Sequence, residues 1–432
     1  MGKRLLLYFV VGLLIFFLMR GFFEHIFPRY NLREKQVVGM VGTYTVNSLP
    51  PDIMYKISKG LTAINEDGTA KPGVAKSWKI ESEGRKYTFY LKEDVYFSDK
   101  KNLTSDLIDY GFSNVDIERP DKYTVVFKLK DAYSPFLTTV SRPIFRKGFV
   151  GVSEYRVKNI SLNGDFVESI ELISLDKKKT IRYQFYPTVS SAKTAFVLGD
   201  VSKIVDLPDV NFKNSSFYKF NNAIVEKRIN YRQLVTLFYN TQDENLSSKS
   251  LREAFSYTIS DSFKNGEKSF GPYAPFSFAS QKGISLYRQD LDHAKLLLEK
   301  FRTESPNAKL SFVIDTLAKY RAVAEDIAKV WNGLKVETKI REVDETPAKF
   351  QIFLGEFFLS LDPDQYVLWH SDQQNNITGY KNLRIDKLLE DGRQISDIEE
   401  RKKIYFDFQK YLLADAPASF LFFPYTYDVS RK

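Results

Sequence analysis

Between Ala75 and Leu107 the chain changes its hydrophobic period twice, and no other stretch constrains the fold as much. Ser77-Trp78-Lys79-Ile80 and Tyr87-Thr88-Phe89-Tyr90-Leu91 alternate apolar with polar, the period of a strand with one face buried. Glu83-Gly84 between them reads as the turn of a hairpin. Val95-Tyr96-Phe97 reads as a third short strand. The polar loop Ser98–Asn102 then leads to a helix that Thr104 or Ser105 can cap. Taken alone, this is a sheet edge followed by a helix.

The same string resembles a family signature. Starting at Pro72, Val74 and Ala75, it is similar to the pattern P-x-L-A-x-S-W-x-I-S-x-D-G-x-x-Y-T-F-x-L of the family 5 extracellular solute-binding proteins, the peptide- and nickel-binding receptors of ABC importers. Further matches follow in the family's order. Gly151-Val152-Ser153-Glu154-Tyr155 resembles a worn G-T-G-P-Y turn. Ala192 to Asp206 resembles the helix and G-E-x-D segment. Leu237–Thr241 and Leu251–Tyr257 resemble F-N-T and V-R-Q-A-L-x-Y. Asp362-Pro363, Gly379–Asn382 and Ile385–Leu389 resemble D-P, G-Y-x-N and V-D-x-L-L. The resemblance runs from Val37 to the last residues.

It implies an α/β fold: a two-lobed, periplasmic-binding-protein-like clamshell, with an extra β-rich subdomain in the first lobe and an N-terminal membrane helix before it. The expected division is 1–23 signal anchor, 24–36 tether, 37–233 first lobe, 234–416 second lobe, and 417–432 returning to the first. Two strand crossings, near Tyr231–Asn240 and Pro417–Tyr425, would form the hinge, and ligand would be enclosed between the lobes on closure.

Local patterns agree with such a division. Residues 37–229 are rich in strand signals, with a strand at Lys178–Gln184 and a short helix at Val189–Leu198. After the strand LVTLFYN, helices are expected at Lys249–Ile259, Leu291–Phe301, Tyr320–Trp331, Ile385–Glu390 and Asp397–Ala414. Strands are expected at Lys309–Val313, Val336–Arg341 and Phe420–Val429, a β-α-β alternation. Leu296, Leu297 and Leu298 are expected on the buried side of their helix. Phe270–Ile284 reads as loop.

The N-terminus carries Lys3-Arg4 before an apolar run, Leu5 to Met19, which Gly21-Phe22-Phe23 extends past Arg20. A spanning helix needs ~20 apolar residues, and Arg20 can snorkel. With no A-x-A cleavage pattern, an uncleaved signal anchor is the reading, with a cleaved signal peptide as its alternative.

Composition removes several classes of function. Of 432 residues, 43% are apolar and 15% aromatic, enough for packed cores. Cysteine is absent, so disulfides, thiolate nucleophiles and Cys-type metal sites are absent. The net charge of +9 is dispersed, with no basic stripe interleaved with stacking aromatics, so nucleic acid is not an expected partner. His25, His293 and His370 are not at metal-ligand spacing. No G-x-S-x-G elbow or phosphate-binding loop occurs. No cofactor is implied, and no catalytic constellation stands out. An extracytoplasmic hydrolase is the weakest reading.

The ligand-contacting segment of the family aligns with Glu356-Phe357-Phe358-Leu359-Ser360-Leu361-Asp362-Pro363. In peptide-binding relatives an aspartate three residues before the acidic residue of D-P pairs with the peptide amine; here that position is Leu359. A buried ammonium without a carboxylate is costly. Either Glu356, Asp362 or Asp364 substitutes, or the ligand is not a free-amine peptide. Phe357 and Phe358 would offer an apolar face. Met40 to Asn47 aligns with the strand beside which relatives run an extended peptide. Tyr44, Asn47, Trp369 and Tyr425 complete the expected cleft residues.

The function implied is capture, without catalysis, of a peptide or other small solute outside the cytoplasmic membrane, and its delivery to an ABC permease. The alternative is a degenerate binding-protein fold acting as a membrane-anchored scaffold. The worn turn, the short Phe97–Asp106 loop and Leu359 favour that alternative.

Overall fold

The computed structural model describes residues 34–281, 284 and 286–432, together with residues 16 and 19. The expected N-terminal anchor lies outside the described residues, as does His25. Among the described residues no helix is long and apolar enough to cross a membrane.

One mixed sheet of twelve strands runs through the molecule. In one half, Ser311–Leu317 pairs in parallel with both Glu337–Val343 and Ile352–Phe358. The helix Arg321–Gly333 makes the crossover between the first two, as parallel pairing requires. Gln233–Tyr239 then pairs antiparallel with Ile352–Phe358. Both faces of this half are covered. Leu237, Phe255, Phe312, Ile314 and Trp331 belong to one core. Leu234, Phe353, Trp369, Phe408 and Phe420 belong to another.

In the other half, Glu34–Val41 lies between Lys179–Tyr186 and Lys203–Leu207, parallel to both. Phe166–Ser174 and Tyr155–Asn163 extend that side as antiparallel strands. The helix Val189–Leu198 matches its expected bounds because both ends are signalled. Thr188 forms a capping box with Ser191, and Gly199 closes the helix at φ 94.

A single strand, Ala418–Arg431, joins the halves. Its residues 418–422 pair with Gln233–Tyr239, and 422–424 pair with Gly266–Lys268. Residues 425–431 pair with Ala223–Ile229, and residues of 427–430 with Lys203–Leu207. The return expected to begin at 417 therefore begins near Tyr425. The other crossing is the short link Asn230–Arg232 between Ala223–Ile229 and Gln233–Tyr239.

The hairpin expected at residues 77–91 forms between Ala75–Glu81 and Lys86–Leu91, and it belongs to a separate four-stranded sheet completed by Val115–Asp121 and Thr124–Leu129. Phe89, Phe127 and Phe136 fill its core. The next two expectations fail. Residues 95–97 form no strand, only a bridge between Tyr96 and Asn102. The helix after Thr104 stops as a single turn, Ser105–Leu107. Asp109 accepts the Gly111 amide at 2.8 Å and Gly111 takes φ 66, so the chain turns away.

Two smaller differences have plain causes. Helix Leu291–Glu304 buries Leu298 but leaves Leu296 64% exposed. Consecutive helical residues lie about 100° apart, so three cannot share a face. The strand expected over Met40–Asn47 ends at Val41, because Gly42 turns the chain at φ 139. One edge of that strand is paired along its whole length with Lys179–Tyr186, and Val38 and Gly39 are paired on the other as well.

Candidate functional site

The four-stranded sheet and its loops touch the half that contains Ile352–Phe358. The Phe278 amide donates to the Asp67 carbonyl at 2.8 Å, and the Ser134 amide to the Arg393 carbonyl at 2.6 Å. Beside the first contact lies a cavity of about 610 Å³; beside the second lies another of about 640 Å³, lined by Tyr133, Pro135, Arg142, Asp362 and Asp364. The wall of the first cavity is built from four distant pieces: Glu66, the crossing Ile229–Arg232, the loop residues Tyr273–Ser277, and the run Phe358–Leu368. A strand end, a crossing and two loops meeting at a concave surface is where ligand sites commonly form.

The apolar part of the wall is exposed. Phe358 is 70% exposed, Val367 42% and Phe276 41%. Phe358 is the last residue of its strand, so alternation turns it away from its buried neighbour Phe357.

The acids of the wall are mostly spoken for. Asp362 is clamped by Arg401 at 2.8 and 3.1 Å, with both groups buried. Asp364 meets Arg393 Nε at 2.7 Å. Burial raises the Asp364 carboxyl, against the pull of Arg393. Glu356 does not line this cavity. It receives Lys319 Nζ at 2.6 Å and the Tyr320 hydroxyl. All three carboxylates considered as substitutes for the missing aspartate thus have cationic partners inside the chain.

Leu359 itself is 7% exposed and belongs to the apolar cluster around Trp369 and Phe420. Its backbone is pinned from both sides: its amide donates to the Arg232 carbonyl at 2.8 Å, and its carbonyl accepts Arg232 Nε at 3.1 Å.

Of the residues singled out from the sequence, the structure brings Phe358 and Asp362 to the cavity, along with Leu359 and Asp364. The others lie elsewhere. Phe357 packs between Phe238 and Phe420. Trp369 is buried, its indole N–H donating to Gln365 at 2.9 Å. Tyr44 rests on Phe185 at 4.9 Å between ring centroids. Asn47 is exposed in a turn. Tyr425 lies under Lys227 Nζ, 3.3 Å from its ring centroid. Phe357 and Trp369 act as packing because their strand and helix turn them inward.

His370 is buried, stacked 4.2 Å from Tyr366, with Glu390 3.5 Å from Nε2. His293 caps the face of Tyr257 at 4.6 Å. Among the described residues no group of three His, Asp or Glu side chains could hold a metal ion.

A further cavity of similar size sits in the other half, lined by Asp52, Lys56, Lys203, Asp206, Arg228 and Asp428 among others. Several of its charges neutralise one another: Lys203 Nζ is 2.7 Å from Asp428, which also holds Arg228. The first cavity has the larger apolar wall.

Arg232, Phe276 and Glu66 were not singled out from the sequence. Each stands in a separate segment, and nothing in its neighbours distinguishes it from other arginines, phenylalanines or glutamates. Only for Phe276 was there a signal, the Gly- and Pro-rich loop that holds it.

No protein-family model matches the chain. The oligopeptide-binding protein AppA of Bacillus subtilis is 24% identical over 477 residues, covering 90% of this chain and 86% of that protein. The probable D,D-dipeptide-binding periplasmic protein DdpA of Escherichia coli is 21% identical over 440 residues, covering 88% and 83%. The crystal structure of NikZ from Campylobacter jejuni in complex with Ni(L-His) superposes with a TM-score of 0.74 at 20% identity, covering 93% of this chain and 94% of that one. The fold is thus the mixed α/β fold of two-lobed solute-binding proteins. The homologues and structural neighbours are substrate-binding proteins of the peptide- and nickel-binding type that the sequence resembles.

Proposed function

We propose that the chain is an extracytoplasmic solute-binding protein that captures a peptide or other small solute between two lobes and delivers it to an ABC permease. One observation carries the reading. A cavity of about 610 Å³, walled by exposed Phe358, Val367 and Phe276, lies at the Asn230–Arg232 crossing and beside the Asp67–Phe278 contact. A wall of that kind is exposed to water unless something fills it. Hinge closure around a ligand is what two strand crossings permit. Capture without chemistry is supported by the names of the relatives. The retained cavity speaks for binding over the scaffold alternative.

In this reading the first lobe comprises 34–229 with the β-rich subdomain inside it, the second 233–423, and the strand from Tyr425 returns to the first. Residues 1–23 serve as a membrane anchor and 24–33 as a tether, shorter than the expected 24–36 because Glu34 to Gln36 already pair in the sheet. The motivation is the Lys3-Arg4 flank, the near-spanning apolar run and the missing cleavage pattern.

Native mass spectrometry of the full chain in detergent tests capture. A co-purified small solute, displaced on mild unfolding, is the expected result. A ligand-free protein whose small-angle scattering stays unchanged with every peptide and solute pool offered would defeat it. N-terminal sequencing of membrane-extracted protein should begin at or near Met1; a soluble protein starting near Pro28 would remove the anchor.

A further inference from the structure

Asp362 and Asp364 on the cavity wall are paired within the chain, but the arginine on that wall is not. Arg232 sits in the crossing between the two halves, with its main chain and Nε fixed on Leu359. Its two terminal nitrogens make no hydrogen bond, and no carboxylate lies within ion-pair distance, among the described residues. Asp52 and Tyr55 act on it only at longer range. Arg232 is exposed, so its terminal nitrogens are within reach of solvent and of a ligand; the part of the side chain that is covered lowers its pKa.

Holding Nε on the Leu359 carbonyl leaves the edge formed by Nη1 and Nη2 free. Two parallel N–H groups on that edge match the two oxygens of a carboxylate. The cavity that Arg232 lines is also lined by the exposed rings of Phe276 and Phe358 and the side chain of Val367. Tyr273, also on the wall, has a buried hydroxyl with no partner. The acid on the wall without a cationic partner is Glu66, which is exposed.

Resting on the solute-capture reading, we propose that Arg232 selects ligands by an anionic group: a carboxylate seated on its free edge, with an apolar body against Phe276, Phe358 and Val367. The ligand class is then an amphipathic carboxylic acid without a free amine at the Leu359 end, such as an N-blocked peptide acid. The position that would neutralise an amine is leucine, and the position beside it supplies a cation instead. The charge preference of the site is thereby turned from ammonium to carboxylate.

The test offers the full chain, in detergent, a mixed library of N-acetylated di- to pentapeptides as free acids, and the same library as C-terminal amides. Capture is read by native mass spectrometry and affinities of recovered members by calorimetry. The acids should bind at least tenfold more tightly than their amides, the scale of a charge-assisted bidentate contact. Arg232→Gln should bring acids down to the level of amides, and Arg232→Lys should restore part of the preference. Equal capture of acids and amides, or an acid preference untouched by Arg232→Gln, overturns the inference but leaves solute capture standing. So does tighter binding of the unblocked free-amine library. If no library and no co-purified solute is found, the capture reading falls and this inference with it.

Discussion

Arg401 reaches from the last long helix to Asp362 and holds it with two hydrogen bonds, at 2.8 and 3.1 Å, where both side chains are nearly sealed from solvent. The same guanidinium donates to the Gly392 carbonyl at 2.9 Å. The pair therefore ties the D-P segment under the cavity to two helices at once.

Removing one member leaves the other charge stranded. Arg401→Ala should lower stability by about 3–5 kcal/mol, read by urea denaturation. Arg401→Ala with Asp362→Ala should recover part of the loss. A single variant within about 1 kcal/mol of the wild type would show the pair to be solvated.

Lys268 gives a pH dependence. Burial among Phe263 and Phe270 pushes its ammonium down from 10.5 to about 8. Between these values the unfolded chain binds the proton and the folded chain does not, so stability rises with pH through that window. Below about pH 8 the cost is fully present. Lys268→Met should therefore be more stable than the wild type at pH 7, with the gap shrinking by about 2 kcal/mol by pH 10. Paired denaturant titrations at the two pH values check this; a gap that does not change with pH would show a solvated ammonium.

Gly151 opens the worn turn motif, and its lack of a side chain has a use. Ser153 donates to the Ile57 carbonyl at 3.0 Å, while the Gly151 carbonyl accepts the Ser98 amide at 2.9 Å. A methyl group at 151 would collide with the Ile57 carbonyl and lie 2.6 Å from Ser58 Cβ. Gly151→Ala should cost about 1–3 kcal/mol, seen as a lower melting temperature. An unchanged melting temperature would mean that the two segments separate easily.

Leu359→Asp restores the residue that the family pattern has. Buried beside Trp369 and Phe420, the carboxylate would lose water without a hydrogen-bond partner of its own. The expected result is a destabilised protein, by about 2–5 kcal/mol, whose melting point rises when free-amine peptides are added. The wild type should show no such rise. A variant as stable as the wild type would place residue 359 in water.

Much of the second half could be read in advance because its signals are local. The helix after Ser248 and the helix capped by Asp397 follow from their caps, and the crossover helix ending near Trp331, which has no side-chain cap, from its 3.6-residue spacing. The first half was harder. Val115–Asp121 contains Pro120, which argues against an interior strand, yet it forms as an edge strand. The short run at Val95 looked like a strand because apolar spacing cannot say whether a partner strand is free. The site was the least legible part. Phe358 and Asp362 sit in one recognisable run. Arg232, Phe276 and Glu66 come from segments up to 292 residues apart in number from that run's first residue, and only folding puts them on one wall.

The strand Ala418–Arg431 also sets an order of events during synthesis. It is the shared neighbour of Gln233–Tyr239 on one side of the hinge and of Lys203–Leu207 and Ala223–Ile229 on the other. A nascent chain that ends before residue 418 has the partners of that strand but not the strand. Both halves then wait, with open edges, until these fourteen residues leave the ribosome. On the extracytoplasmic reading proposed above, a sheet closed only by this strand keeps the polypeptide threadable until the strand has been made.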